Sequence, residues 1–179
     1  MLNRVLSFFS TKPEKTVAVT LYRAIVAQAR QPHFYRDLGV PDSLDGRFDM
    51  IILHAYLASR RLKAMNTAGS QALNQALFDL MFADMDSSLR EIGVGDLSVG
   101  KKVKAMAQAF YGRVEAYDAG LAAGDDRLAE ALLRNLYGTV TPQPAQSLAM
   151  AAYLRRADEA LAVQPDGEIM AGNVAFPAL

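Results

Sequence analysis

His54, Asp79 and Asp86 are the side chains whose types could do chemistry in this 179-residue chain. A histidine on an apolar helix near two helical carboxylates could hold a metal ion or move a proton. The spacing argues against both. Helical metal-dependent phosphohydrolases carry an adjacent His-Asp pair, whereas Ala55 follows His54 and the only other histidine, His33, falls in a loop. No H-x-x-x-H or H-E-x-x-H occurs, nor the E-x-x-H that four-helix di-metal proteins place beside their acids. Asp79 and Asp86 share a helix face with Gln75, Phe82 and Arg90, which suits an acidic docking surface or a solvated face with Asp86 and Arg90 as an i,i+4 pair. His54 is expected at the edge of the core, hydrogen-bonded to a neighbouring helix and kept neutral by nearby Arg47 and Arg61. No catalytic residue, metal or cofactor is expected.

A second group is cationic. With Ser98 as N-cap, Lys101, Lys102 and Lys104 lie in the first two turns of a helix, where the dipole disfavours positive charge. Their placement points to an anionic partner: an acidic protein, a phosphate backbone or lipid headgroups. Aromatic residues do not interleave with these lysines as base-stacking platforms would, so nucleic acid is the weaker partner. Gly112, inside the same helix, costs about 1 kcal/mol relative to alanine, and its expected return is a close backbone approach or a bend. No phosphate-binding glycine loop, nucleophile elbow or dinucleotide fingerprint is present.

The elements that must position these residues are helical. "RFDMIILHAYLASRRL" (47–62) is apolar on two opposite faces and should be a central helix, capped near Asp45 and Gly46. Before it, a helix over about 16–31 ends at Pro32, and the loop "PHFYRDLGVPDSLDG" follows. Further helices are expected over about 70–92, from 99 through Leu121, over 125–137 and over 145–163. The tail "EIMAGNVAFPAL" reads as an extended arm laid on the helices. The expected fold is all-α: a single domain of about six helices over 16–179, preceded by a short N-terminal amphipathic segment, 1–15.

The bulk composition fits this reading. The chain is 51% hydrophobic and 21% charged, too apolar for disorder. Nineteen basic residues balance nineteen acidic ones, so no global field draws the chain to nucleic acid. Without cysteine there are no disulfides, zinc fingers or thiol catalysis. No apolar run approaches the roughly 18 residues of a membrane span. "MLNRVLSFFSTKPEK" has no long apolar centre or small-residue cleavage site; its Leu2, Val5, Leu6, Phe8 and Phe9 with Arg4, Lys12 and Lys15 suit peripheral contact with an anionic membrane.

The ordered pieces "FYRDLGVPDSLDGRFDMIILHAYLASRRL", "LFDLMFADMDSSLREIGVGD", "VGKKVKAMAQAFYGRVEAYDAGL" and "LAEALLRNLY" resemble the ubiquinol–cytochrome c chaperone family over roughly Phe34 to Tyr137. The resemblance implies an all-α, non-enzymatic assembly factor for the cytochrome bc1 complex. It implies cytochrome b or another bc1 subunit as client, and a small partner protein or the ribosome as further contacts. The short N-terminus lacks the long basic presequence expected of an imported mitochondrial precursor, so the chain resembles a compact bacterial member. Such a member is expected in the cytoplasm, peripheral at the inner face of the plasma membrane. The family supplies no catalytic residues; the matching positions for partner or interhelix polar contacts are His54, Arg61, Asp79, Asp86, Arg90, Lys101, Lys104, Arg113, Arg134 and Asn135, with Lys102 beside them. The alternatives are an RNA- or ribosome-binding helical module and a small helical metalloprotein using His54 with Asp79 or Asp86.

Overall fold

The computed structural model describes residues 13–178. These form eight helices and no strand: α1 Pro13–Ala29, α2 Pro32–Arg36, α3 Leu44–Met65, α4 Ala68–Glu91, α5 Asp96–Ala123, α6 Asp125–Asn135, α7 Pro144–Val163 and α8 Asp166–Met170. Six of them match the six expected from periodicity. The two five-residue helices, α2 and α8, were expected as loop and arm. Pro32 does stop α1, but its fixed φ also opens α2, where a missing N–H costs nothing. Most of the expected amphipathic segment, residues 1–12, lies outside the described residues, and Pro13–Lys15 begin α1.

α3 is the central strut, as its two-sided pattern requires. Every residue from Met50 to Ser59 is buried. α1, α4 and α7 pack around it, α5 lies on α4, and α6 bridges α5 and α7. Burying leucines such as Leu53 and Leu57 contributes about 2 kcal/mol each. The N-cap of α3 is Ser43, not the Asp45-Gly46 region: its Oγ accepts from Gly46 N at 3.1 Å. α3 ends on Asn66 in the left-handed region, φ 49°, and the next helix starts at once through a reciprocal Thr67–Ser70 capping box.

α5 begins three residues earlier than expected. Gly95 is its N-cap, with no side-chain hydrogen bond, and Ser98 lies inside the first turn. Asp96 occupies the first turn, where an anion suits the dipole. Lys101, Lys102 and Lys104 therefore sit beyond that turn, and the dipole opposes them little. Gly112 faces open space, so no backbone approaches it. The close approach in this helix is at Gly120, where a Cβ would lie 2.8 Å from Leu128 Cα of α6. After α8 the chain turns at Gly172, φ 84°, and residues 173–178 run without regular structure over α1, α3 and α7, in line with the expected arm.

Candidate partner-binding groove

His54 is fully buried, not at the core edge. Its Nδ1 donates to Met50 O at 2.8 Å, and its Nε2 lies 2.8 Å from the Tyr153 hydroxyl on α7. A carbonyl only accepts, so Nδ1 carries the proton and Nε2 accepts from Tyr153. Gln28 Nε2 then donates to the Tyr153 oxygen at 2.9 Å. The expected bond to a neighbouring helix is present. Burial, more than any other influence, pushes the His54 pKa down to about 4. The two arginines once expected to do this turn elsewhere. Arg47 pairs with Asp42 at 2.6 Å, while Arg61 caps the end of α7 through Leu161 O and Gln164 O at 2.8 and 2.9 Å and reaches Asp166. With both ring nitrogens engaged, His54 has no lone pair free for a metal, and the chain's own core accounts for it.

The two acids expected on one docking face also have partners. Asp79 accepts from Gln75 at 2.7 Å, and Asp86 pairs with Arg90 at 2.6 Å, the expected i,i+4 bridge. Arg90 also reaches Asp96, tying the end of α4 to the start of α5. No group of three or more His, Asp or Glu among the described residues could hold a metal ion.

Four of the expected positions do converge. Lys102, Arg113, Arg134 and Asn135 line a groove of about 620 Å³ framed by the N-terminal half of α3, the ends of α4 and α6, and the middle of α5. Its anchor is the ion pair Arg113–Asp49, 2.7 Å, with side chains only 18% and 19% exposed. Arg113 Nε also donates to Asn135 O at 3.3 Å, so one guanidinium joins three helices. Asn135 Nδ2 closes its own turn on Ala131 O at 2.9 Å. Burial pushes the Asp49 pKa up to about 6, against the pull of Arg113. The walls are apolar: Phe48, Ile52, Met106 and Leu136, with Leu44 and Ile92 left 42% and 55% exposed. Lys102 and Arg134 are exposed at the rim, and neither makes an ion pair among the described residues. An apolar trough with free cations at its rim fits the apolar side of a helix that carries acidic residues beside it.

Lys101 and Lys104 are exposed on α5 outside the groove lining, and His54, Arg61, Asp79, Asp86 and Arg90 lie elsewhere. Sequence reasoning missed Asp49, and it missed the clasp at the other end of α3. There Tyr56 and Arg60 both donate to Asp118, at 2.8 and 2.6 Å, and Arg60 Nε donates to Asp158 at 2.9 Å. The signal available was tyrosine on apolar faces: a buried phenol needs a partner. Tyr22, which donates to Asp84 at 2.9 Å, repeats the pattern.

Comparison with known proteins extends the resemblance seen over Phe34 to Tyr137. The crystal structure of the Cbp3 homolog from Brucella abortus superposes with a TM-score of 0.83 at 37% identity, covering 92% of this chain and 91% of that one. The ubiquinol-cytochrome-c reductase complex assembly factor 1 of Xenopus laevis is 25% identical over 92% of this chain and 82% of its own length. Protein CBP3, mitochondrial, of Saccharomyces cerevisiae is 32% identical over 59% of this chain and 32% of its own length. Residues 36–176, from α2 through the C-terminal arm, match the Ubiquinol-cytochrome C chaperone family, and the chain belongs to that family.

Proposed function

We propose that this protein is a non-enzymatic assembly factor for the cytochrome bc1 complex, with newly made cytochrome b as its client. The observation that carries this reading is the family match across 36–176, reinforced by near-complete coverage of a Cbp3 homolog of the same fold. The groove beside Arg113 is the partner site in this reading. Its apolar walls take a helix of the client or of a small partner protein, and Lys102 and Arg134 meet that helix's acids. No helix among the described residues is long and apolar enough to cross a membrane. The protein works on its membrane client from the surface, with Lys101 and Lys104 beside the groove as contacts for anionic headgroups or the ribosome.

The test is a deletion strain of the encoding organism, scored for assembled bc1 complex by cytochrome b absorbance and native electrophoresis. Loss of the complex, restored by the wild-type chain but not by a Lys102→Glu, Arg134→Glu variant, is the expected result. An unchanged complex in the deletion strain would overturn the assembly role.

A further inference from the structure

The cleft beneath residues 173–178 is built as a peptide site. Gln164, at the end of α7, clamps Ala175 from both sides: its Oε1 accepts from Ala175 N at 3.0 Å and its Nε2 donates to Ala175 O at 2.6 Å. One side-chain amide thus pairs both backbone groups of one residue, as a neighbouring strand would. The next residue, Phe176, sets its ring edge-on to His54, centroids 5.0 Å apart at 89°. Gln28 reaches Pro177 O at 3.5 Å. The floor is aromatic and uncharged: Phe34 and Tyr153 meet at 4.9 Å beside the neutral His54.

Two properties make the arm replaceable. The floor is satisfied without it, because Met50 O, Tyr153 and Gln28 already use every polar atom of the His54–Tyr153 chain. Lifting the arm therefore orphans no buried donor or acceptor; Gln164 and Ala175 lie where water can serve them. The arm also hangs from Gly172, a turn wedged against α1, where a Cβ would lie 2.8 Å from Val17 O. Beyond that hinge its polar ties are two bonds from Asn173 to Glu168, side chain to carboxylate at 2.8 Å and backbone N to O at 2.9 Å, and the two glutamines.

We infer that residues 173–178 are a displaceable strap, and that the cleft accepts in its place an extended, uncharged segment of a partner with an aromatic ring one residue after the clamped position. The backbone clamp is indifferent to sequence, while the aromatic floor selects the ring. Charge sets the class: the aromatic floor and residues 174–178 carry no charge, and the carboxylate at the cleft's end, Glu168, is taken by Asn173 at 2.8 Å, so a charged side chain laid over the floor would lose its solvation with no counter-charge to meet. A membrane-protein client supplies such segments, and to that extent the identity of the partner rests on the function proposed above. The strap then keeps the cleft covered until a client arrives.

The test uses the full chain and a fluorescein-labelled peptide of residues 172–178, followed by anisotropy. In the wild type the strap competes in cis, and apparent affinity falls by the fraction of molecules with the cleft open. The chain carrying Asn173→Ala and Phe176→Ala, which loosens the strap and leaves Gln164 in the cleft, should hold the peptide about tenfold more tightly than the wild type. A peptide with alanine at the Phe176 position should fail to bind. No binding to a variant that keeps its helical circular dichroism would overturn the proposal. If that variant does not fold, hydrogen exchange on the wild type decides. The Ala175 amide should exchange well ahead of the α3 amides, and exchange only with global unfolding would overturn the strap. A strap-exchanged dimer, seen as concentration-dependent mass, would assign the cleft to a second copy and overturn the partner assignment. None of these readouts depends on bc1 assembly, so failure here and failure of the assembly role are separable.

Discussion

His54 Nε2 and the Tyr153 hydroxyl, 99 positions apart in sequence, lie 2.8 Å from each other in a region closed to water. Because Nδ1 donates to Met50 O, Nε2 is the acceptor in this bond, which joins α3 to α7. Tyr153→Phe keeps the ring and removes the donor, leaving a buried nitrogen unsatisfied. The expected cost is about 1–3 kcal/mol of unfolding free energy in urea titrations. A change below a few tenths would mean that Nε2 finds another partner.

Because the folded His54 pKa is about 4 and the ordinary value 6.5, the unfolded chain takes up the proton first on acidification. Stability from the neutral histidine is complete above pH 6.5 and is lost as pH falls toward 4, by roughly 3 kcal/mol across that window. Asp49, pushed up to about 6, works the other way: the folded state protonates it first, so its contribution rises as pH falls from 6. The measurement is therefore the difference between wild type and His54→Gln. The wild-type advantage at pH 7 should shrink toward pH 4, and a constant gap would place the histidine proton elsewhere.

The helical frame was legible because α3 announces itself: "DMIILHAYLAS" is apolar on opposite faces, and only a buried position satisfies that. His54's lack of catalytic company was equally readable. Its partner was not, since nothing local to Tyr153 or Gln28 marks them as joined. Nothing in the sequence singles out Asp49, Asp118 or Asp158, because pairing across helices leaves no local pattern. The start of α5 was misplaced for a related reason. Gly95 caps the helix with no side-chain hydrogen bond, so Ser98 was the stronger cue in sequence. Arg113, Arg134 and Asn135 stood out as matching positions and Lys102 as one of three lysines early in its helix, yet only the fold gathers them around one groove.

Gly120 and Gly112 share a helix and should respond oppositely to alanine. At 120 the new Cβ meets Leu128 Cα at 2.8 Å, a backbone contact that cannot rotate away. Gly120→Ala should push α6 from α5 and cost about 1–3 kcal/mol. At 112 nothing lies within 4 Å, so Gly112→Ala should be neutral or gain up to about 1 kcal/mol from helix propensity. Thermal unfolding of the two variants separates them.

Arg113 holds Asp49 and Asn135 together under the groove, so its loss should exceed that of an exposed pair. Arg113→Ala leaves the Asp49 carboxylate half-buried without a counter-charge. We expect about 2 kcal/mol of destabilisation at pH 7, and a further rise in the Asp49 pKa above its starting value of about 6, followed by carboxyl carbon NMR. The double variant Arg113→Ala, Asp49→Ala should recover part of the loss. If it recovers none, the pair is not coupled.

Lys102 and Arg134 offer the sharpest separation of folding from recognition. Both are exposed, neither is paired among the described residues, and both flank apolar walls that include the exposed Leu44 and Ile92. Surface charges of this kind change stability by about 0.5 kcal/mol or less. Lys102→Glu with Arg134→Glu should therefore leave urea and thermal unfolding nearly unchanged. Against the acidic helix proposed as partner, the same substitutions would set like charge on like charge, and reversal of rim charge acts on association rate and salt dependence. Co-purification of cytochrome b with the tagged chain should drop several-fold in the charge-reversed variant, and the residual association should lose its sensitivity to added salt. Ile92→Asp, aimed at the apolar wall, should reduce the same association without removing its salt dependence. If the charge reversal leaves both yield and salt dependence intact, the client sits on another face of the molecule.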